Sequence, residues 1–239
     1  MTGSQGMKDR LKRSLPMIGS IVEVETTIPT VVLTYDDGPE PVGTAGVLAS
    51  LAAADATATF FVLLSRVRRH PEVLADILAG GHEVALHGVD HQRLTGYSAA
   101  QVQQRTLDAK HELEDVAGRS VRWFRPPYGA QRFGTWRAVR RTGLDVVLWT
   151  ATTWDARDVS EHERVAHAVR HCSNGSILLA HDAFAGPADG VDDGPEPVLD
   201  RGALTAQLLQ EFARQGLVGR SLGDAVTDGR VVRSAVFSS

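Results

Sequence analysis

The chain has one cysteine, Cys172, in 239 residues. A single thiol excludes an internal disulfide and a cysteine-built zinc site. Its place after a helical stretch, between His171 and Ser173, reads as a buried or helix-end thiol rather than a nucleophile. A basic surplus is missing too. Lys and Arg number 25 against 29 Asp and Glu, for a net charge of −4, so there is no footprint for a nucleic-acid partner. No apolar run reaches transmembrane length. The polar, basic start (Lys8, Arg10, Lys12, Arg13) is followed by no continuous apolar segment. It reads as a cytoplasmic protein without a secretory signal. No Pro/Gly/Ser-rich linker divides the chain either. It reads as one domain over 30–226, with an extension at 1–29 and a tail at 227–239.

Hydrophobic residues make up 43% and charged residues 23%, ordinary proportions for a globular protein with a sizeable core. Strand-like runs fall at 31–35, 58–64, 83–87, 121–124, 146–150, 177–181 and 217–221, with helix-like segments between them. The latter include 41–54, 71–79, 98–117 ending at Gly118, a segment opened by Ser160 with Glu163 three residues on and ended by Gly175, and 203–215. Such alternation predicts a parallel sheet, either doubly wound or closed into a barrel.

In both architectures the chemistry gathers at the carboxyl ends of the strands. The first run delivers Asp36 and Asp37 into a Gly38-Pro39 turn. Neighbouring side chains at a strand end point to opposite sides, so these acids can take different partners. The run 83–87 ends in His87, with His91 four residues on. Arg125-Pro126-Pro127-Tyr128-Gly129 follows the next run. Trp154, Asp155 and Asp158 follow the run 146–150, and 177–181 ends in His181. A His-x-x-x-His spacing alone is weak, because His167 and His171 repeat it within a helix and read as surface or helix-end residues. His87 and His91 differ by following a strand and a Gly88 turn. With Asp37 they make a two-His, one-carboxylate set that leaves positions open, as a catalytic divalent ion requires. Asp192-Asp193-Gly194-Pro195-Glu196-Pro197 repeats Asp36-Asp37-Gly38-Pro39-Glu40-Pro41 letter for letter. It lies in a polar stretch, 183–202, and reads as solvated turn sequence, with the mouth of a site as the alternative.

The segments 34–39, 87–91, 125–129 and Leu179-Ala180-His181, in this order and at these strand ends, resemble the polysaccharide deacetylases, the NodB-homology domain of carbohydrate esterase family 4. The resemblance covers about 30–226. It implies a distorted (β/α) barrel of about seven parallel strands and metal-dependent removal of an acetyl group from an N-acetylated sugar. Carried over residue by residue, it makes Asp36 the general base, with Arg125 orienting it. Asp37, His87 and His91 become ligands of a divalent metal, zinc first, with cobalt, nickel or manganese as alternatives. The Tyr128 backbone N–H helps bind the oxyanion, Leu179 lines the acetyl pocket, and His181 is the general acid.

Two departures stand out. Gly88 occupies a position that in the family usually carries Ser or Thr, so a bracing hydroxyl is absent while every ligand remains. The family's Asp-x-x-Asp-Trp motif is altered. A register on Trp149 leaves Asp155, and one on Asp155-Ala156-Arg157-Asp158-Val159 keeps two acids. Asp155 is the choice for tuning His181, and Trp154 for the aromatic wall. Competing functions are a deformylase or non-sugar amidase on the same scaffold and a catalytically silent carbohydrate-binding module. The sequence leaves the sugar and the oligomeric state open.

Overall fold

Every side chain of β2 (Thr30–Asp36) is buried, as a parallel strand covered on both faces requires. Around it the computed structural model describes residues 18–237. The amino-terminal stretch read as polar and basic lies outside them up to residue 17. The strands are β1 (Ser20–Thr26), β2, β3 (Thr59–Leu63), β4 (Glu83–Gly88), β5 (Trp123–Phe124), β6 (Asp145–Val146), β7 (Ala151–Thr152), β8 (Ile177–His181), β9 (Val218–Arg220) and β10 (Gly229–Ser234). The helices are α1 (Gly43–Ala53), α2 (Leu64–Arg69), α3 (Pro71–Ala79), α4 (Ala99–Ala117), α5 (Phe133–Arg140), α6 (Glu161–His171), α7 (Arg201–Arg214) and α8 (Leu222–Thr227). No helix among the described residues is long and apolar enough to cross a membrane.

One parallel sheet runs β6-β5-β4-β3-β2-β8-β7, with β9 also pairing β2. It curls into an incomplete (β/α) barrel, the architecture expected. The expected run 146–150 splits into β6 and β7, and the physical reason is β1. Leu148 N–H donates to the Ile21 carbonyl at 2.7 Å, and Ile21 bridges Val147. The chain leaves the sheet to pair with β1 at the seam, then rejoins beside β8. Strand β1 pairs antiparallel with β10, so the stretches expected as extension and tail supply a two-stranded flap packed on the core. β5 is cut to two residues by Pro126 and Pro127, which have no N–H for the ladder.

The helix signals behave as their chemistry dictates. Ser98 caps α4 and Ser160 caps α6, each in a reciprocal box with Gln101 and Glu163 respectively. Gly118 closes α4 at φ 64°. α6 stops at His171 rather than running to Gly175.

Alternation along the strands sorts the side chains into two sets. Val31, Leu33, Tyr35, Phe60, Val62, Val84, Leu86, Leu178 and Ala180 pack under the helices. Val32, Phe61, Ala85, Trp123 and Ile177 pack inside the barrel with Ile21 and Leu222. Stepping two residues along a strand keeps the same face. From Val32 the inward series reaches Thr34 and Asp36. From Ala85 it reaches His87, from Trp123 it reaches Arg125, and from Ile177 it reaches Leu179 and His181. The core pattern thus aims the polar groups at one end of the barrel interior.

Candidate active site and metal centre

The backbone turns sharply at Asp37, whose φ of 75° lies in the left-handed region that side-chain-bearing residues rarely adopt. Asp36 and Asp37 therefore face different partners. Asp36 Oδ1 accepts from Arg125 Nη1 at 2.6 Å, and both side chains are buried. The same guanidinium donates to Thr34 Oγ1 at 2.9 Å and to the Leu148 carbonyl at 3.2 Å, and lies over the Phe61 ring. These contacts meet part of the hydrogen-bonding demand that a buried ion pair carries, and the buried Arg125 Nε–H is left without a partner.

Asp37 Oδ1 lies 3.4 Å from His87 Nε2 and 3.3 Å from His91 Nε2. It is buried and accepts no hydrogen bond, while Asp37 Oδ2 accepts from Ala185 N–H at 3.3 Å. The three donor atoms all lie within 4.8 Å of one another. Ligand atoms about 2.1 Å from a tetrahedral ion stand about 3.4 Å apart, so the orphaned oxygen and both imidazoles fit one divalent ion. His87 Nδ1–H donates to the Arg125 carbonyl at 2.8 Å, which leaves Nε2 as the bare lone pair. Burial pushes the His91 pKa down, with Asp37 opposing, and favours the neutral imidazole a ligand must be. Burial pushes the Asp37 carboxyl up, but His87 and His91 outweigh it and hold the group well below the usual range.

Across the cavity, His181 Nδ1–H donates to Asp155 Oδ1 at 2.8 Å, and the His181 backbone N–H donates to Oδ2 at 2.6 Å. Burial pulls this imidazole down, yet the Asp155 carboxylate overrides it and raises the value to about 9. Asp155 is buried, whereas Asp158 is exposed. Of the two acids, it is Asp155 that meets the histidine.

Asp36, Asp37, His87, His91 and His181 face a cavity of about 240 Å³ that Tyr128, Leu179, Trp149 and Phe184 also line. Tyr128 sits in the turn Pro127–Gly129 at φ 61°. Its ring lies 4.3 Å from that of His91. Trp154, expected as the aromatic wall, is instead stacked on His167 at 3.6 Å, outside the cavity lining. Its backbone at φ 57° turns the chain there. Trp149, packed against Gly129, stands at the wall. His171 caps its own helix, its Nδ1–H donating to the His167 carbonyl, as the helix-end reading has it. Cys172 is buried, and burial pushes its thiol up to about 12, so it is no nucleophile.

Gly88 has a physical reason of its own. Its φ of 133° is open to glycine, and a Cβ there would meet the Asp90 carbonyl at 3.0 Å. The turn that carries His91 is shaped by this glycine. Gly38 likewise lets Asp182 approach, and Asp182 accepts from Gly38 N–H at 3.2 Å and from Thr44 Oγ1 at 2.6 Å.

Three participants escape a sequence reading. Asp182 braces the Asp37 turn. Asp189 accepts His91 N–H with its carbonyl while Arg66, Arg69 and Ser65 hold its carboxylate. No local signal marks either. The third is Asp193, in the repeated hexapeptide. That repeat is exposed, yet Asp193 and Pro195 reach the cavity lining, so the solvated-turn reading gives way to the mouth of the site. The letter-for-letter repetition was the available signal.

The family described as polysaccharide deacetylase has a sequence model that matches residues 23–147. The chain belongs to that family. A chitooligosaccharide deacetylase of Sinorhizobium fredii is 31% identical over 215 residues, covering 88% of this chain and 98% of that protein. The peptidoglycan-N-acetylmuramic acid deacetylase PdaC of Bacillus subtilis is 31% identical over 215 residues, covering 87% of this chain. The chain spans only 45% of that relative's length. A solved PdaC structure superposes with a TM-score of 0.70 at 27% identity, over 84% of this chain and 91% of that one. A family 4 carbohydrate esterase pseudoenzyme from Bacillus anthracis shares the fold at a TM-score of 0.76 and 19% identity, over 89% and 70% of the two chains. The barrel alone is silent on turnover, and the side chains must carry that argument.

Proposed function

We propose that this protein is a metal-dependent N-deacetylase that hydrolyses the acetamide of an N-acetylated amino sugar, releasing acetate and a free amine. One observation carries this reading. A buried carboxylate held by arginine, an Asp-His-His donor set and a carboxylate-held histidine share one cavity of about 240 Å³.

Asp37, His87 and His91 would hold the ion, zinc first among the candidates for this donor set. A divalent ion in that position polarises an amide carbonyl and acidifies water. Asp36, fixed by Arg125, removes the proton from the attacking water as its oxygen bonds to the carbonyl carbon. The Tyr128 backbone N–H is the proposed donor to the oxyanion that develops. Leu179 and Trp149 enclose the acetyl methyl in apolar surface. His181 gives its proton to the amine nitrogen as the C–N bond breaks, and Asp155 keeps that imidazole charged and oriented. The relatives' names support an N-acetylated glycan or its oligomers as the substrate class.

The test is acetate and amine release by metal-loaded protein from N-acetylglucosamine oligomers and peptidoglycan fragments, beside matched N-formyl compounds. Equimolar acetate and amine is the expected result. Faster formate release would assign a deformylase. Sugar binding without turnover, unaltered by Asp36→Asn, would make the chain a binding module.

A further inference from the structure

We propose that Asp193 is a positioning residue for His91, the outer partner that keeps the proton on Nδ1 and turns Nε2 toward the ion. The inference rests on the metal-centre reading above. If His91 Nε2 is a ligand, its proton must sit on Nδ1. That nitrogen is buried and has no hydrogen-bond partner, an arrangement that costs free energy until an acceptor arrives. His87 shows the contrast, since its Nδ1–H is already held by the Arg125 carbonyl at 2.8 Å.

The Asp193 carboxylate stands 3.8 Å from His91 Nδ1. Its Oδ2 also accepts from Tyr128 Oη at 2.5 Å, and the Tyr128 and His91 rings are neighbours at 4.3 Å. The carboxylate thus sits across the edge of a packed ring pair, and a movement of about 1 Å gives a hydrogen bond to His91. The Asp193 side chain is 39% exposed, so it turns without disturbing a core. Three residues on, Glu196 holds Arg201 Nη2 at 2.8 Å, while Arg201 Nη1 donates to the His181 carbonyl at 2.9 Å. The repeated hexapeptide is therefore tied at one end beside His91 and at the other to the backbone of His181. His91 is flanked on both ring nitrogens by the second aspartate of each copy, Asp37 at Nε2 and Asp193 at Nδ1.

The experiment measures zinc affinity by competition with a chromophoric chelator for wild type, Asp193→Ala, Asp193→Asn and Tyr128→Phe. Visible spectra of the cobalt forms and melting of the metal-free proteins accompany it. Loss of the outer partner of a ligating histidine costs about 10- to 100-fold in affinity. That weakening is expected for Asp193→Ala, with an altered cobalt spectrum and unchanged metal-free melting. Asp193→Asn recovers part of it, because an amide oxygen still accepts from Nδ1–H. Tyr128→Phe keeps wild-type affinity. Unchanged affinity in Asp193→Ala would overturn the proposal, as would Tyr128→Phe losing as much, since Asp193 would then act by anchoring the loop. A wild type that takes up no zinc would overturn the metal-centre reading itself and this inference with it.

Discussion

Asp36-Asp37-Gly38-Pro39-Glu40-Pro41 and Asp192-Asp193-Gly194-Pro195-Glu196-Pro197 share every letter and almost none of their surroundings. The first closes a strand buried on both faces, and its two aspartates are 3% and 4% exposed. The second runs over the rim in irregular backbone and is mostly exposed. Water screens the second pair of acids. The first pair, out of water, must be met by an arginine or by a metal-ready donor set. The same letters become buried site or exposed rim according to where the chain puts them, and the second aspartates of the two copies lie at opposite ring nitrogens of His91.

The sharpest way to break this contrast is to neutralise the first aspartate of each copy. Asp36→Asn is expected to lower kcat by about 10²- to 10⁴-fold, the usual worth of a general base, with metal content retained. Asp192→Asn is expected to leave kcat unaltered, because that carboxylate is exposed. Steady-state kinetics on the substrate found above decides, and equal losses would erase the distinction. The next effect is structural. Arg125→Met leaves Asp36 buried without its cation and is expected to cost about 3–5 kcal/mol in urea unfolding, as broken buried pairs do. A loss under 1 kcal/mol would mean the pair is solvated.

A third effect concerns pH. The folded value of His181, about 9, lies above the ordinary 6.5. The Asp155 interaction therefore stabilises the metal-free fold fully below about pH 6.5 and is lost as pH rises through 9. Urea unfolding of the metal-free protein from pH 6 to 10 reads this slope, and Asp155→Asn is expected to flatten it. The smallest effect belongs to the rim. Glu196→Gln breaks an ion pair whose carboxylate is 58% exposed, and its unfolding free energy is expected to move by no more than about 0.5 kcal/mol.

Much of this arrangement was legible beforehand because strand-end chemistry and period-two alternation are local signals. Val31, Leu33 and Tyr35 announce a covered strand, and two steps from a core residue lands on a candidate site residue. β1 and β10 escaped because each is stabilised by the other, about 200 residues away in the chain, and no local pattern encodes that pairing. The break at 147–150 escaped for the same cause, since Ile21 draws Leu148 out of the sheet. Trp154 and Trp149 are equally plausible as letters. Only the turn at Trp154, onto His167, decides which indole reaches the cavity. Asp155 over Asp158 was resolved by a pair of hydrogen bonds to one histidine.

The most direct measurement is elemental analysis of purified wild type beside Asp37→Ala and His87→Ala, after incubation with zinc and removal of excess. About one equivalent of divalent ion in wild type, lost in both variants, is the result expected of an Asp-His-His centre. A wild type that holds no ion, or variants that hold as much as wild type, would contradict the metal centre on which the proposed hydrolysis depends.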